Sequence, residues 1–344
     1  MFTNFSKWVI TYIAKITLIL CCSSLVSLVL YFITSNRLVN LLDVLPVYFG
    51  FLGTNWALLY LEMPSGTYVA LDILRLFLIV TMIIGAIIYM QSKGKERKLL
   101  YFSYAIIFIG SIFNLADFLF KRIFREEFDE IFSFITRDQY SYNWALEIYT
   151  VLTWLLLIII SYSVLKHFNS NTRLITNKES STDVYNKSSN WKRLFHFIFD
   201  LIIFLSIATE FMQNILILVS HKLGSSGQFK DIAIPILIFI FTVLYYTIFE
   251  YLFSTTPSKI LSHSKIISTN KNNLTLSKAL GRSLSRHIPL NQISFLFNNG
   301  WHDVLTETTV VDIEEQTTYL AIYWVLFIIL VVGLIANYLI YPFS

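Results

Sequence analysis

Cysteine is nearly absent from this chain of 344 residues. The two cysteines that it has, Cys21 and Cys22, are adjacent inside an apolar run. Two neighbouring cysteines provide neither a disulfide framework nor the spacing of a cysteine metal site. The six histidines are scattered along the chain, at positions 167, 196, 221, 263, 287 and 302. The sequence therefore predicts no bound metal and no fold stapled by disulfides.

Charged residues are also scarce, and this scarcity decides the class of protein. They make up 14% of the chain, whereas hydrophobic residues make up 56% and phenylalanine alone occurs 30 times. The mean hydropathy is +0.63. A water-soluble globule of this length needs more charged surface, so the composition predicts a membrane protein surrounded by the lipid bilayer. The net charge of +4 is too small and too scattered to predict a face that binds nucleic acid.

Signatures of catalysis and of transporter symmetry are missing as well. The sequence contains no GxxxxGK nucleotide loop. The pair His302-Asp303 has no further histidines and aspartates at the spacing of a metal site. No internal repeat supports the inverted-repeat design of many secondary transporters. We expect a protein that is not an enzyme and that binds no cofactor.

Long apolar runs are what the sequence does contain. The first has no charged residue between Lys15 and Arg37, which is enough to cross about 30 Å of hydrocarbon at about 1.5 Å per residue. By this length criterion the sequence predicts transmembrane helices over residues 9–33, 69–90, 99–119, 145–166, 194–219, 231–253 and 318–341. The predicted fold class is therefore all-α, a polytopic membrane protein of about seven transmembrane helices.

Two other apolar segments do not meet this criterion. Residues 41–61 are apolar enough to insert, but they are interrupted by Asp43, Pro46, Gly50, Gly53 and Asn55. We interpret the segment as a bent interfacial or re-entrant piece, and the chain has eight spans if it crosses. Residues 288–297 are too few to cross and are predicted to form a short interfacial helix.

The positions of lysine and arginine predict the orientation. The linkers that follow the second, fourth and sixth predicted spans are rich in both residues. The positive-inside rule places these linkers and the amino terminus in the cytoplasm, and the carboxyl terminus outside. We expect a multi-pass protein of the cell membrane, specifically the bacterial cytoplasmic (inner) membrane.

A series of polar motifs begins at residue 191 and ends at residue 311. In chain order it runs through Trp191-Lys-Arg193, Asp200, Tyr245-Tyr-Thr-Ile-Phe-Glu250, Thr256-Pro-Ser-Lys259, Arg282, Arg286, Trp301-His302-Asp303 and Thr309-Val-Val311. This series resembles the RDD family of small integral membrane proteins, which is named for an arginine and two aspartates. The resemblance marks eight polar residues as family-motif positions: Arg193, Asp200, Glu250, Lys259, Arg282, Arg286, His302 and Asp303.

The chain is predicted to be bipartite. Residues 1–168 form an amino-terminal membrane region of about four helices, and residues 169–190 form a polar cytoplasmic linker that is expected to be exposed and mobile. The RDD-like domain covers residues 191–311, with two transmembrane helices and a cytoplasmic and interfacial loop. A final transmembrane helix follows at 318–341.

The fifth predicted span carries a polar stripe. At about 100° per residue, five polar residues fall within about a third of the helix circumference: Arg193, His196, Asp200, Glu210 and Asn214. Ionisable groups in hydrocarbon are costly and need a partner or water. One interpretation is a path for H⁺ or a monovalent cation along Asp200, Glu210, Asn214 and Glu250. In the alternative, Arg193 and Asp200 form an ion pair that fixes helix register, and a hydroxyl or amide holds Glu210 neutral.

Glu250 in the sixth span has two interpretations. It is predicted to lie level with Asp200, and the resemblance implies that the fifth and sixth spans pair, so the two carboxylates can share a proton or a cation. Alternatively, Glu250 is an interfacial acid close to Lys259.

The loop after the sixth span holds two arginines one helical turn apart, Arg282 and Arg286. They are expected to contact phospholipid headgroups or the carboxylates Asp200, Glu250 and Asp303. Within the resemblance, Asp303 is the second named aspartate and is expected to order the loop against a cation such as Arg282.

Two classes of function follow from these motifs and from the resemblance. The first is an ion-coupled transporter that exchanges monovalent cations for H⁺, by analogy with proposals for some members of the family. The second is a non-catalytic membrane scaffold or assembly factor that binds another membrane protein or a second copy of itself.

Overall fold

A computed structural model describes residues 11–22, 58–62, 68–132, 144–171, 176–177, 184–223, 227–269, 274–288, 294 and 300–313. The described part is mostly helical, as the apolar runs predict. Its helices are α1 (Thr11–Cys22), α2 (Ile73–Gln91), α3 (Lys98–Ile123), α4 (Arg125–Phe132), α5 (Trp144–Asn171), α6 (Asn190–Leu223), α7 (Gly227–Phe253), α8 (Pro257–Leu261), α9 (Leu276–Ser285) and α10 (Trp301–Leu305).

The all-α prediction is wrong in one respect, because the chain also forms short antiparallel strand pairs. These are β1 (Leu58–Glu62) with β2 (Tyr68–Asp72), β3 (Thr176–Asn177) with β4 (Val184–Tyr185), and β5 (Ser264–Ser268) with β6 (Thr308–Asp312). The span predicted at 69–90 thus begins as strand β2 and becomes helical at Ile73. A short apolar run does not distinguish strand from helix by periodicity.

Four of the predicted spans lie inside observed helices. The ranges 99–119, 145–166, 194–219 and 231–253 fall within α3, α5, α6 and α7. In the described ranges, two helices are long and apolar enough to cross a membrane, Lys98–Ile123 and Ile232–Phe253. The final predicted span, most of the first, most of 41–61 and nearly all of 288–297 lie outside the described residues. The number of spans and their orientation stay predictions.

Helix α3 lies at the centre of the packing, and aromatic side chains connect it to its neighbours. Phe102 stacks on Phe199 of α6 with ring centroids 5.9 Å apart, and Phe108 meets Phe253 of α7 at 5.2 Å. Gly85 of α2 allows a close approach, because a Cβ there would lie 2.9 Å from the backbone nitrogen of Leu100. The amino-terminal helices and the later helices therefore share one core.

The segments after α7 fold back as a compact unit, which we call the cap and define as α8, β5, α9, α10 and β6. It packs against the first turns of α6 and the last turns of α7. The end of the predicted linker joins it, because the backbone N–H of Ser188 donates to the carbonyl of Val310 at 3.0 Å. Ser188 is buried. Ser188 at this end of the linker is therefore paired and buried, while Lys187, Ser189 and Asn190 beside it are exposed.

Candidate functional site: a buried charge cluster

The eight motif residues meet where the cap contacts α6 and α7, and we call them the charge cluster. Seven are buried, and the side chain of Arg286 is 13% exposed. They come from five elements or their ends: α6, α7, α8, the α9 region and α10. Burial of so many charges is tolerated only if they are paired and hydrogen-bonded, so the partners of each decide what the cluster can do.

Glu250 is the anionic centre of one half of the charge cluster. Its Oε1 atom accepts from Lys259 Nζ at 3.1 Å and also from Arg286, while Arg282 Nε lies 3.2 Å from Oε2. The guanidinium of Arg286 also stacks over the ring of Tyr246, 3.9 Å from its centroid. The predicted neighbourhood of Glu250 and Lys259 is present, and two arginines of the α9 region contact the same carboxylate.

Asp303 is the anionic centre of the other half. Its Oδ2 atom lies 2.8 Å from Arg193 Nη1, and its Oδ1 atom accepts from Arg282. Arg282 also donates to the hydroxyl of Thr308 in β6. Arg282 therefore links Asp303 to Glu250 and joins the two halves. The expected contact of Asp303 with Arg282 is present.

Asp200 is held by hydrogen bonds rather than by an ion pair with Arg193. Its Oδ1 atom accepts from the hydroxyl of Tyr245 at 3.2 Å and from the backbone N–H of Ser258 at 3.1 Å. Ser258 lies in the first turn of α8, directly after Pro257, where backbone N–H groups have no partner inside the helix. Asp200 thus caps α8 from another helix. The alternative in which Arg193 pairs with Asp200 is not what the structure shows.

Two histidines lie beside these charges. The ring of His196 hydrogen-bonds to the hydroxyl of Ser262. Burial, and next the positive charge of Arg282, hold the pKa of His302 well below its usual value, so this ring is neutral at pH 7. Burial is also the main reason that the pKa of Lys259 falls to about 8, although Glu250 opposes the shift.

Six residues of the charge cluster line a cavity of about 50 Å³. Its walls include four cationic side chains, a carboxylate and two histidines: Arg193, Lys259, Arg282, Arg286, Asp200, His196 and His302. Several polar atoms of the cluster have no hydrogen-bond partner among the described residues, including Arg193 Nε, Arg286 Nη1 and Asp200 Oδ2. No group of three His, Cys, Asp or Glu side chains in the described ranges is placed to hold a metal ion.

The predicted ion path is only partly described. The side chain of Glu210 lies outside the described part of the chain. Asn214, fourteen residues beyond Asp200 and so about 21 Å along α6, donates to Asp117 of α3 at 2.8 Å. Asp117 also pairs with Lys121 at 2.8 Å. Asn214 therefore belongs to a separate polar contact at the far end of α6.

Sequence reasoning missed three partners of the charge cluster. Tyr245 lies within a quoted motif, but its role as a donor to Asp200 was not predicted. The backbone N–H of Ser258 carries no side-chain signal, although Pro257 at the start of a helix is a cue for free N–H groups nearby. Thr308 precedes the motif Thr309-Val-Val311 and belongs to a strand that an all-helical prediction excluded.

Residues 187–341 match the RDD family. No curated protein and no solved structure matches this chain. The matched region starts at the linker end that pairs with the cap, and it includes every residue of the charge cluster. The carboxy-terminal region of the chain, residues 187–341, is therefore the part that is similar to the RDD family.

Proposed function

We propose that this RDD-family membrane protein is a multi-pass, non-catalytic scaffold of the bacterial cytoplasmic membrane that binds another membrane protein or a second copy of itself. Its amino terminus and its cap face the cytoplasm in this proposal. The observation that carries it is the pairing of Glu250 with three cations at once. A carboxylate bound in this way is a poor exchange site for a proton or a metal cation, but it ties α7, α8 and the α9 region together.

The apolar surface of α7 offers a binding face for such a partner. Four side chains spaced four residues apart are exposed along it: Ile232, Ile236, Ile240 and Leu244. Residues at this spacing lie on one side of a helix. The α7 stripe, defined by these four residues, is continuous over about three turns.

Site-specific photo-crosslinking in native membranes tests the scaffold. A photoreactive residue replaces Ile236 in the α7 stripe, and the matched control replaces Ile207, which is buried in α6. We expect a discrete protein adduct of fixed mass from position 236 and none from position 207. Lipid adducts alone at position 236 would show that this face contacts only the bilayer.

The second candidate function is exchange of a monovalent cation for H⁺. The observation that favours it is Asp200, whose Oδ2 atom lacks a hydrogen-bond partner among the described residues and which lines the cavity. The proposed path also uses Glu210, an acid within the long apolar helix α6. Against this candidate, cationic side chains outnumber carboxylates in the charge cluster.

Reconstitution separates the two functions. The purified chain is placed in liposomes with a pH-sensitive dye inside, and Na⁺, K⁺ or Li⁺ is added outside. Exchange predicts proton movement that depends on the cation and is lost in Glu210→Gln and Asp200→Asn, while the scaffold predicts none. Flux retained in full by both variants would remove these carboxylates from any transport mechanism.

A further inference from the structure

The balance of charge around the cavity is positive. Four cations line it, Arg193, Lys259, Arg282 and Arg286, and Asp200 is the carboxylate in its wall. Glu250 and Asp303 stand behind the cations and pair with them. Four positive charges minus three negative charges leave one positive charge, and His302 adds none because its pKa is low. An excess charge with little access to water is costly unless an ion of opposite sign offsets it.

The unused hydrogen-bonding capacity of these residues points to the same kind of ion. Arg193 Nε and Arg286 Nη1 are buried donors without a hydrogen-bond partner among the described residues. Arg193 is only 8% exposed and lines the cavity. Planar guanidinium groups match the oxygen spacing of phosphate-type anions and bind them with short, charge-assisted hydrogen bonds.

The size of the cavity and the acceptor atom in its wall further restrict the class of anion that can bind. One water needs about 10–15 Å³ of comparable space, so a cavity of about 50 Å³ admits a small tetrahedral anion in place of several waters. Asp200 Oδ2 is an unpartnered acceptor in the described part of the chain. It suits an anion that carries its own donor, such as the hydroxyl of hydrogen phosphate or a hydroxyl or ammonium of a lipid headgroup.

We propose that the cavity lined by Arg193, Lys259, Arg282 and Arg286 binds a phosphate group. The group comes from free phosphate or from a phospholipid headgroup. The lipid source is within reach because α9 carries Arg282 on its buried side and three exposed leucines on the other, at 276, 280 and 284. The site stands independently of the scaffold, since it requires no partner protein.

Thermal unfolding of the full chain in detergent tests the site with free phosphate. Sodium phosphate is titrated against sodium chloride of equal ionic strength, so that general screening is matched. We expect phosphate to raise the melting temperature of the wild type and Arg286→Gln to weaken binding about tenfold or more. Lys222→Gln is the matched control, because Lys222 forms a partly exposed pair with Glu127 outside the cavity. This substitution should leave phosphate binding unchanged.

The variant Asp200→Asn tests the phosphate site even if Arg286→Gln folds poorly. The change removes a negative charge from the wall without changing the size of the side chain. The amide of asparagine can still accept from a hydroxyl of the anion through its oxygen, or donate to a phosphate oxygen through its NH₂, so a phosphate site predicts equal or tighter phosphate binding in Asp200→Asn. Weaker phosphate binding in this variant, or stabilisation by Na⁺ that the variant loses, would overturn the proposal.

Native mass spectrometry of the purified chain separates the two sources. A bound phospholipid in the wild type and in Lys222→Gln, reduced in Arg286→Gln, identifies the headgroup as the source. Stabilisation by phosphate without retained lipid identifies free phosphate. Neither retained phospholipid nor a phosphate-specific shift in the wild type would show that the cavity holds only water, and the proposal would fail.

Discussion

At the scale of single residues, the charge cluster turns costly buried charges into a connected network. Arg282 contacts both Glu250 and Asp303, so neither carboxylate is paired with one cation alone. Removal of one member leaves its partners buried and uncompensated, which costs far more than the loss of an exposed pair. The central residues of the cluster should therefore be the most sensitive positions in the RDD region.

We expect Glu250→Gln to destabilise the protein by about 3–5 kcal/mol, because three cations lose their shared anion. The measurement is the melting temperature of the purified chain in detergent. Glu307→Gln is the control, since Glu307 is 62% exposed in its pair with Lys278 and such pairs contribute about 0–1 kcal/mol. Equal stability of the two variants would mean that Glu250 is not the anionic centre described here.

The lowered pKa of Lys259 predicts that the free energy of unfolding rises with pH. Its pKa is about 8 in the folded protein, against 10.5 for an ordinary lysine. Between these values the unfolded chain holds a proton that the folded chain has lost, so the free energy of unfolding rises by up to about 1.4 kcal/mol per pH unit. Unfolding between pH 8 and pH 10 should show this rise in the wild type, and Lys259→Met should lack it. Parallel profiles of unfolding free energy against pH in the wild type and in Lys259→Met would contradict a lowered pKa of Lys259.

At the scale of elements, α9 has the reverse of the amphipathic pattern of a helix on a soluble protein. Its buried side contains Arg282 and Ser283, whereas Leu276, Leu280 and Leu284 are exposed. His287 lies just past the end of α9, and the centroid of its ring is 4.6 Å from the ring centroid of Phe239 in α7. A helix with exposed leucines beside an apolar helix is suited to lipid contact, with its charges turned toward protein.

We expect a spin label at Leu280→Cys, in a chain with Cys21 and Cys22 changed to serine, to be more accessible to oxygen than to a water-soluble nickel complex. Oxygen concentrates in hydrocarbon and the complex stays in water. A label at Glu307→Cys should show the opposite preference. The measurement is power-saturation EPR in liposomes, and a water-accessible label at position 280 would place α9 outside the bilayer.

The contact of α2 with α3 depends on a glycine. An added Cβ at Gly85 would meet the Leu100 backbone nitrogen at 2.9 Å, whereas at Gly281 the nearest atom is a methyl group of Thr306 at 3.4 Å. Gly85→Ala should therefore destabilise the protein by about 1–3 kcal/mol. Gly281→Ala should be neutral or stabilising, since alanine favours a helix by up to about 1 kcal/mol. Thermal unfolding of both variants decides the comparison.

At the scale of the whole molecule, the RDD region does not stand apart from the amino-terminal helices. Helix α3 packs on α6 through Phe102 and Phe199, and on α7 through Phe108 and Phe253. These aromatic residues belong to one hydrophobic core that draws on both halves of the chain. The amino-terminal helices therefore supply packing that the matched RDD residues alone lack.

We expect the two halves to associate when they are made as separate chains. A break after residue 179 lies in the polar segment of sequence between β3 and β4 and cuts none of the helices in the described residues. The tagged amino-terminal half should then co-purify the carboxy-terminal half in detergent. Phe108→Asp, which places a charge in the shared core, should abolish recovery, while Ile123→Asp at an exposed position should not. Independent purification of the unaltered halves would show that α3 is not essential to the RDD region.

Much of the architecture follows from the sequence because it depends on local patterns. Composition predicts a membrane protein, and the length of the apolar runs predicts α3, α5, α6 and α7 within a few residues. The order of polar motifs identifies the RDD region and the eight residues of its charge cluster. The strand pairs were missed because β5 and β6 are five residues each, too short for periodicity to separate them from helix.

Only the tertiary structure decided the partners of Arg193, Asp200 and Asn214. Arg193 pairs with Asp303 instead of Asp200, seven residues away, and Asp200 accepts from the backbone of Ser258. Asn214 follows the same stripe as Asp200 yet bonds to Asp117 of α3. Helical periodicity specifies the side of a helix on which a residue lies, but the partner depends on which distant segment packs there. A charge is stabilised by groups within a few ångströms in space, and separation along the chain does not predict that distance.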